Sequence, residues 1–150
     1  MRKRTLLIPE EQYSSDFNPI LTFYNYHVKG KKITLSLDDI NNFGVKLVPL
    51  KHKAIRKTDE KINTINSIEF SSNDKKEQVK NLMYCFRCIA AHPENIEEVI
   101  VNGVKCYKLI CYRKEKSQTA RVITMKGLVT QSTWNSFCNQ IFNLIKAQTL

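Results

Sequence analysis

The sequence predicts an α+β fold in which antiparallel sheets carry amphipathic helices, and three observations predict it. Short β-branched and aromatic runs alternate with period two: Ile33, Leu35 and Leu37 face away from Lys32, Thr34 and Ser36, as half-buried strands require. Asn102-Gly103 stands between two apolar runs and marks a hairpin, because Asn-Gly favours the primed turns that match strand twist. Trp134, Phe137, Cys138, Ile141, Leu144 and Ile145 recur at helical spacing, which gives a helix one apolar side that must lie on a sheet.

In chain order, residues 1–19 carry no sustained periodicity and read as a basic arm ahead of a single compact domain, 20–150. Leu21 to Val28 is aromatic and β-branched, Lys29-Gly30 is a turn, and Lys31 to Leu37 completes a hairpin with one basic face. Ser36 or Asp38 caps a short helix through Phe43, which Gly44 stops. The segment 45–57 reads as extended, is the densest positive run, and is interrupted by Pro49. Ile62 to Phe70 is a further strand, and Ser71 to Asp74 offers the N-cap of a helix from Lys75 to about Ala91 that His92-Pro93 ends. Val99 to Val101 pairs with Val104 to Tyr112. Arg113 to Gln118 is a charged loop, and Arg121 to Met125 is a last strand stopped by Lys126-Gly127. Thr130 to Thr133 then caps the terminal helix.

Composition narrows the function. Among 150 residues, 24 Lys and Arg face 14 Asp and Glu, a net charge of +10 that calls for an anionic partner. With 42% hydrophobic residues and only 4 Gly and 4 Pro, disorder and fibrous repeats are excluded. No run approaches the roughly 18 apolar residues of a membrane span, so no integral membrane association is expected. Five scattered cysteines suit a reducing compartment, nucleus or cytoplasm. Glu97-Glu98 has no acid/base partner, the histidines are dispersed, and neither a phosphate-cradling glycine loop nor a serine elbow is present. The expectation is a nonenzymatic protein without a cofactor.

The end of the chain carries a short pattern: Met125-Lys126-Gly127-Leu128-Val129, then Trp134, Phe137 and Ile141. It resembles the C-terminal signature of the positive cofactor four family of transcriptional coactivators, in which a Lys-Gly strand passes into a helix marked by Trp. Lys31 to Ile40 follows the same template, with Ile40 at the Trp position and Phe43 three residues on. The resemblance implies two strand-turn-strand-helix units, 20–44 and 99–148, joined by the basic segment 45–57 and the helix 75–91. They would pack as an internal pseudo-dimer in a chain that can also form a homodimer, with Ile40, Phe43, Trp134, Phe137 and Ile141 as core or interface. It further implies binding of single-stranded DNA by curved sheets.

The residues support that expectation in their own right, because strand aromatics stack on unpaired bases while Lys and Arg follow the phosphates. The candidate nucleic-acid residues of the first unit and the basic segment are Tyr24, Tyr26, Lys29, Lys31, Lys32, Lys46, Lys51, Lys53, Arg56 and Lys57. Those of the second unit are Tyr107, Lys108, Tyr112, Arg113, Lys114, Lys116, Arg121 and Lys126. Ordinary solvated lysines and sheet-packing tyrosines are the competing explanation for each.

Cys85, Cys88 and His92 fall within about 60° of one another on a helix, and Cys106 or Cys111 would complete a zinc set. A buried helix side explains the cysteines as well. The expected activity is sequence-independent binding of single-stranded DNA in transcription or replication, in company with other proteins of those processes. A double-stranded RNA binder is the alternative, because 74–148 reads helix-strand-strand-strand-helix. That domain's lysine-rich last-helix start is absent, however. A small viral structural or matrix protein with a basic face is the other alternative, from a composition rich in Lys, Asn and Ile.

Overall fold

The computed structural model describes residues 35–56, 61–62, 64–92, 96–114 and 121–149. The arm and most of the first hairpin, with Tyr24, Tyr26, Lys29, Lys31, Lys32, Lys57 and Lys116, lie outside the described residues. The class is α+β, as expected. Strands β1 (Lys46–Leu50), β2 (Ser67–Ser71), β3 (Ile96–Val101), β4 (Val104–Lys114) and β5 (Arg121–Thr130) form one five-stranded sheet in the order β1-β2-β5-β4-β3. All pairings are antiparallel except that of β1 with β2, which is parallel. The helices are α1 (Leu37–Ile40), α2 (His52–Arg56), α3 (Gln78–Ala91) and α4 (Gln131–Thr149), with a turn of 3-10 helix, Lys75–Glu77, leading into α3.

The expected elements form for local reasons. At the β3–β4 turn, Asn102 and Gly103 both take positive φ, 52° and 79°, the geometry of a primed two-residue hairpin. Asp74 accepts a hydrogen bond from Lys76 N at 2.9 Å and so opens the 3-10 turn. Thr130 Oγ1 accepts from Thr133 N at 3.2 Å and caps α4 as the strand ends. No connecting residue separates β5 from α4.

Three elements differ from the sequence reading. Residues 52–56, expected to be extended, form α2. Their charged side chains carry no alternation to read, and the one apolar side chain that seats the turn, Ile55, is wholly buried. The backbone N–H of His52 donates to Asn73 Oδ1 at 2.8 Å, and Ser72 N donates to Leu50 O at 2.7 Å, fixing where β1 turns into α2.

β5 does not stop at Lys126-Gly127 but runs on to Thr130. Gly127 serves close approach: a Cβ there would meet Ile68 Cγ1 at 2.5 Å and Ser67 O at 3.0 Å. The third difference is the strand read over Ile62 to Phe70, which begins only at Ser67 because the crossover from β1 ends on Asn66 at φ 60°. Its N–H donates to Leu128 O at 2.6 Å, its carbonyl accepts from Lys46 N at 2.8 Å, and its side-chain oxygen accepts from Thr130 N at 3.0 Å. One residue thus stitches β1 to β5, and Asn tolerates the left-handed conformation that this needs.

One face of the sheet carries the main core. Leu47, Ile68, Phe70, Leu109, Met125 and Val129 point to it and are covered by α3 and α4. Phe86 meets Trp134 edge-on at 5.2 Å and Phe137 edge-on at 6.0 Å, while Trp134 and Phe137 lie 5.4 Å apart, an aromatic cluster at the helix–helix contact. Ile40, Trp134, Phe137 and Ile141 are fully buried here and Phe43 packs against them, so these residues are core. On the opposite face α2 seats Ile55 against Ile110 and Ile123, with Leu50, Ile62 and Tyr112 around them. Of the two units read in the sequence, 99–148 is β3, β4, β5 and α4, and the described part of 20–44 is α1 and its flanking turns. Among the described residues no helix is long and apolar enough to cross a membrane.

Candidate nucleic-acid interface

Two basic runs far apart in sequence meet at one end of the sheet. α2 packs on β5 and β2. The register brings Leu50 beside Ser71, Tyr112 beside Ile123, and Lys114 beside Arg121. The chain from Lys51 through α2, which includes Lys53 and Arg56, therefore lies against the end of the β4–β5 ribbon that carries Arg113, Lys114 and Arg121. The side chains of Lys51 and Arg113 are exposed. The side chains of Lys53, Arg56, Lys114 and Arg121 lie outside the described residues, and the seat of Ile55 on Ile110 and Ile123 fixes α2 on the sheet.

A β-bulge shapes this end. Cys111 pairs with Met125 but Tyr112 pairs with Ile123, which leaves Thr124 as the extra residue of β5. Thr124 Oγ1 donates to Cys111 O at 3.3 Å, and Cys85 on α3 approaches Thr124 O at 3.8 Å and its Oγ1 at 3.9 Å. Between the bulge and α3 lies a cavity of about 150 Å³. Its inner wall is formed by Cys85, Cys88 and Cys111, and its rim by His52, Tyr84, Tyr112 and Arg113. His52 Nδ1 is hydrogen-bonded to Ser71 Oγ, and Asn81 Nδ2 donates to Ser72 Oγ at 3.1 Å, so both polar side chains at this wall are anchored.

Two thiols of that wall, Cys88 and Cys111, are held above the ordinary thiol range. Cys111 is pushed up to about 12, first by its hydrogen bond with Cys85 and also by burial, with its contact to Cys88 pulling the other way. Cys88 is pushed further above the ordinary thiol range by its hydrogen bond with Cys111 and by burial. Such thiols are polarizable, weakly polar surface rather than nucleophiles.

The zinc grouping read in the sequence does not form. His92 is exposed at the end of α3, where its N–H donates to Ile89 O at 3.2 Å, while Cys85 faces inward among the buried residues. Cys106 is buried on another row of β4, and its thiol reaches Val104 O at 3.6 Å. Cys111 does join Cys88, yet among the described residues no three His, Cys, Asp or Glu side chains are placed to hold a metal ion.

No family model matches the chain, nor does any curated protein or solved structure.

The other candidate residues are distributed as follows. Tyr107 is 4% exposed and packs in the main core, so its ring offers no stacking surface. Lys126 is 8% exposed, and its ammonium donates to Lys61 O at 2.9 Å, a structural role in holding the crossover. Lys108 is half-buried on the face of β4 away from α3 and α4, opposite Glu97 and Leu128, and Lys46 is exposed at the far end of β1. Tyr112, Arg113 and Lys51 are the candidates gathered at the cavity end. Sequence reading missed Tyr84, which is 49% exposed at the rim, together with His52 and Asn81. The spacing of Tyr84 and Cys88, one helical turn, was the available signal.

Proposed function

We propose that this protein binds single-stranded nucleic acid, DNA in preference, through the basic end of its sheet, as a nonenzymatic factor in transcription or replication. The observation that carries the reading is the packing of α2 on β5, which brings Lys51 to the end of the sheet that carries Arg113, beside the exposed Tyr84 and the half-buried Tyr112. Lysine and arginine on such a rim follow the phosphates, while Tyr84, half exposed, supplies a face on which an unpaired base stacks. The resemblance of 125–141 to the positive cofactor four signature supports the same ligand, and a homodimer would offer two such rims.

The test is fluorescence anisotropy of a labelled oligo-dT strand across a salt series, with duplex DNA and duplex RNA as competitors. Binding to oligo-dT is expected to weaken steeply, each phosphate contact adding about −0.7 to the slope of log K against log salt. No binding at low salt overturns the proposal.

A second reading has one observation in its favour. α3, β3, β4, β5 and α4 follow one another as helix-strand-strand-strand-helix, with both helices on the same sheet face, the order of a double-stranded RNA-binding domain. The start of α4, Gln131-Ser132-Thr133, carries none of the lysines such a domain places there, and the β3–β4 turn is two residues long. Strong preference for the RNA duplex in the same assay would favour it.

A further inference from the structure

We infer that the cavity between α3 and the Thr124 bulge receives one unstacked pyrimidine base of the bound strand. The inference rests on the nucleic-acid reading of the basic end and adds to it a subsite for a base. Size is the first argument. The cavity measures about 150 Å³, and an apolar cavity of about that size accepts a benzene-sized ring, which suits a six-membered base better than a fused purine.

Chemistry is the second argument. A flipped base needs apolar or aromatic surface against its faces and a few fixed polar groups at its edge. The inner wall supplies three sulfurs, from Cys85, Cys88 and Cys111, as polarizable, weakly polar surface, and the raised pKa of Cys88 and Cys111 keeps those two thiols from adding anionic repulsion to an approaching nucleotide. Asn81 and the His52–Ser71 pair border the same space on anchored side chains, so their polar atoms are held in place before any ligand arrives. Placement is the third. Tyr84 and Arg113 stand exposed at the rim, where a ring can stack on the neighbouring base and a guanidinium can meet the phosphate that carries the inserted one. The rim continues into Lys51, so a strand lying along the basic end passes over the opening.

The test uses the whole chain and three strands of equal length: oligo-dT, oligo-dA, and an abasic strand with the same phosphates. Oligo-dT is expected to bind about tenfold more tightly than the abasic strand, in line with the worth of one well-stacked base, and more tightly than oligo-dA. Asn81→Ala and Cys88→Phe, the second of which fills the cavity, should bring the ratio of oligo-dT to abasic affinity towards one. Photo-cross-linking of a 5-iodouracil strand to the unaltered protein, mapped by mass spectrometry, should label Tyr84 or Tyr112 and does not depend on a variant folding. If oligo-dT and the abasic strand bind alike and cross-links map elsewhere, the base subsite is overturned while nucleic-acid binding stands. If no strand binds, the reading beneath it falls as well.

Discussion

The sheet face under α3 and α4 buries a continuous layer that includes Phe70, Phe86, Trp134 and Phe137, whereas α2 on the other face is held by Ile55 against Ile110 and Ile123 with three partly buried neighbours. The first face has the packing of a domain core and the second that of a clasp. Apolar burial stabilises in proportion to area, so most of the folding free energy belongs to the first face. The second does a different task with less material, fixing a charged segment against a charged strand end. The difference separates two properties that are usually entangled: stability can be altered on one face and the arrangement of the basic rim on the other.

Perturbing the two faces tests that separation. Trp134→Ala should cost about 3–5 kcal/mol in urea unfolding, since it removes the largest fully buried side chain from the aromatic cluster. A loss below about 1 kcal/mol would show that the helix-covered face does not dominate, given that buried Trp→Ala changes usually cost several times more. Ile55→Ala should cost about 2 kcal/mol, the low end for such a change, because its cluster is small. Its signature should lie elsewhere: oligo-dT affinity falls while a far-ultraviolet circular dichroism spectrum keeps its shape. Retained affinity would break the link between α2 and the rim.

Gly127→Ala should cost about 1–3 kcal/mol, because the new Cβ falls on Ile68 and on the Ser67 carbonyl in the neighbouring strand. Lys51→Ala and Arg113→Ala should each leave stability within about 0.5 kcal/mol. Each should also flatten the salt dependence of oligo-dT binding by about 0.7 in slope, and a variant with an unchanged slope would remove its residue from the phosphate path.

The last prediction concerns pH. Cys111 keeps its proton in the folded state up to about 12, above the ordinary 9.0, so folding is favoured by this group below 9 and that contribution fades as pH rises towards 12. The urea midpoint should decline over that window, and less so in Cys111→Ala.

The elements with strong local chemistry were legible in the sequence. Asn102-Gly103 demanded its turn, and Trp134, Phe137 and Ile141 could share only one helix side. Tyr107 and Tyr112, read as equivalent, lie an odd number of residues apart on β4, and alternation alone assigns them to opposite faces. Gly127 read as a stop because a glycine that ends a strand and one that lies under a neighbouring side chain look alike in sequence. α2 was hidden because a single isoleucine carries its packing, and that isoleucine's buried partners, Ile110 and Ile123, are more than 50 residues away. The cavity was the least legible feature: the zinc grouping offered Cys111 as one possible neighbour of Cys88, yet the bulge at Thr124 that opens the space between β5 and α3 has no local signal in the sequence.

The junction between β5 and α4 has a consequence for how this chain can change over generations. Thr130 is both the last residue of the strand and the cap of the helix, so strand register and helix phase are locked together. One residue gained or lost there would turn all of α4 by about 100° and swing Trp134 away from Phe86. Length is therefore fixed across this joint, and insertions that widen or retune the protein's surface are confined to connections whose two ends are not phased against each other.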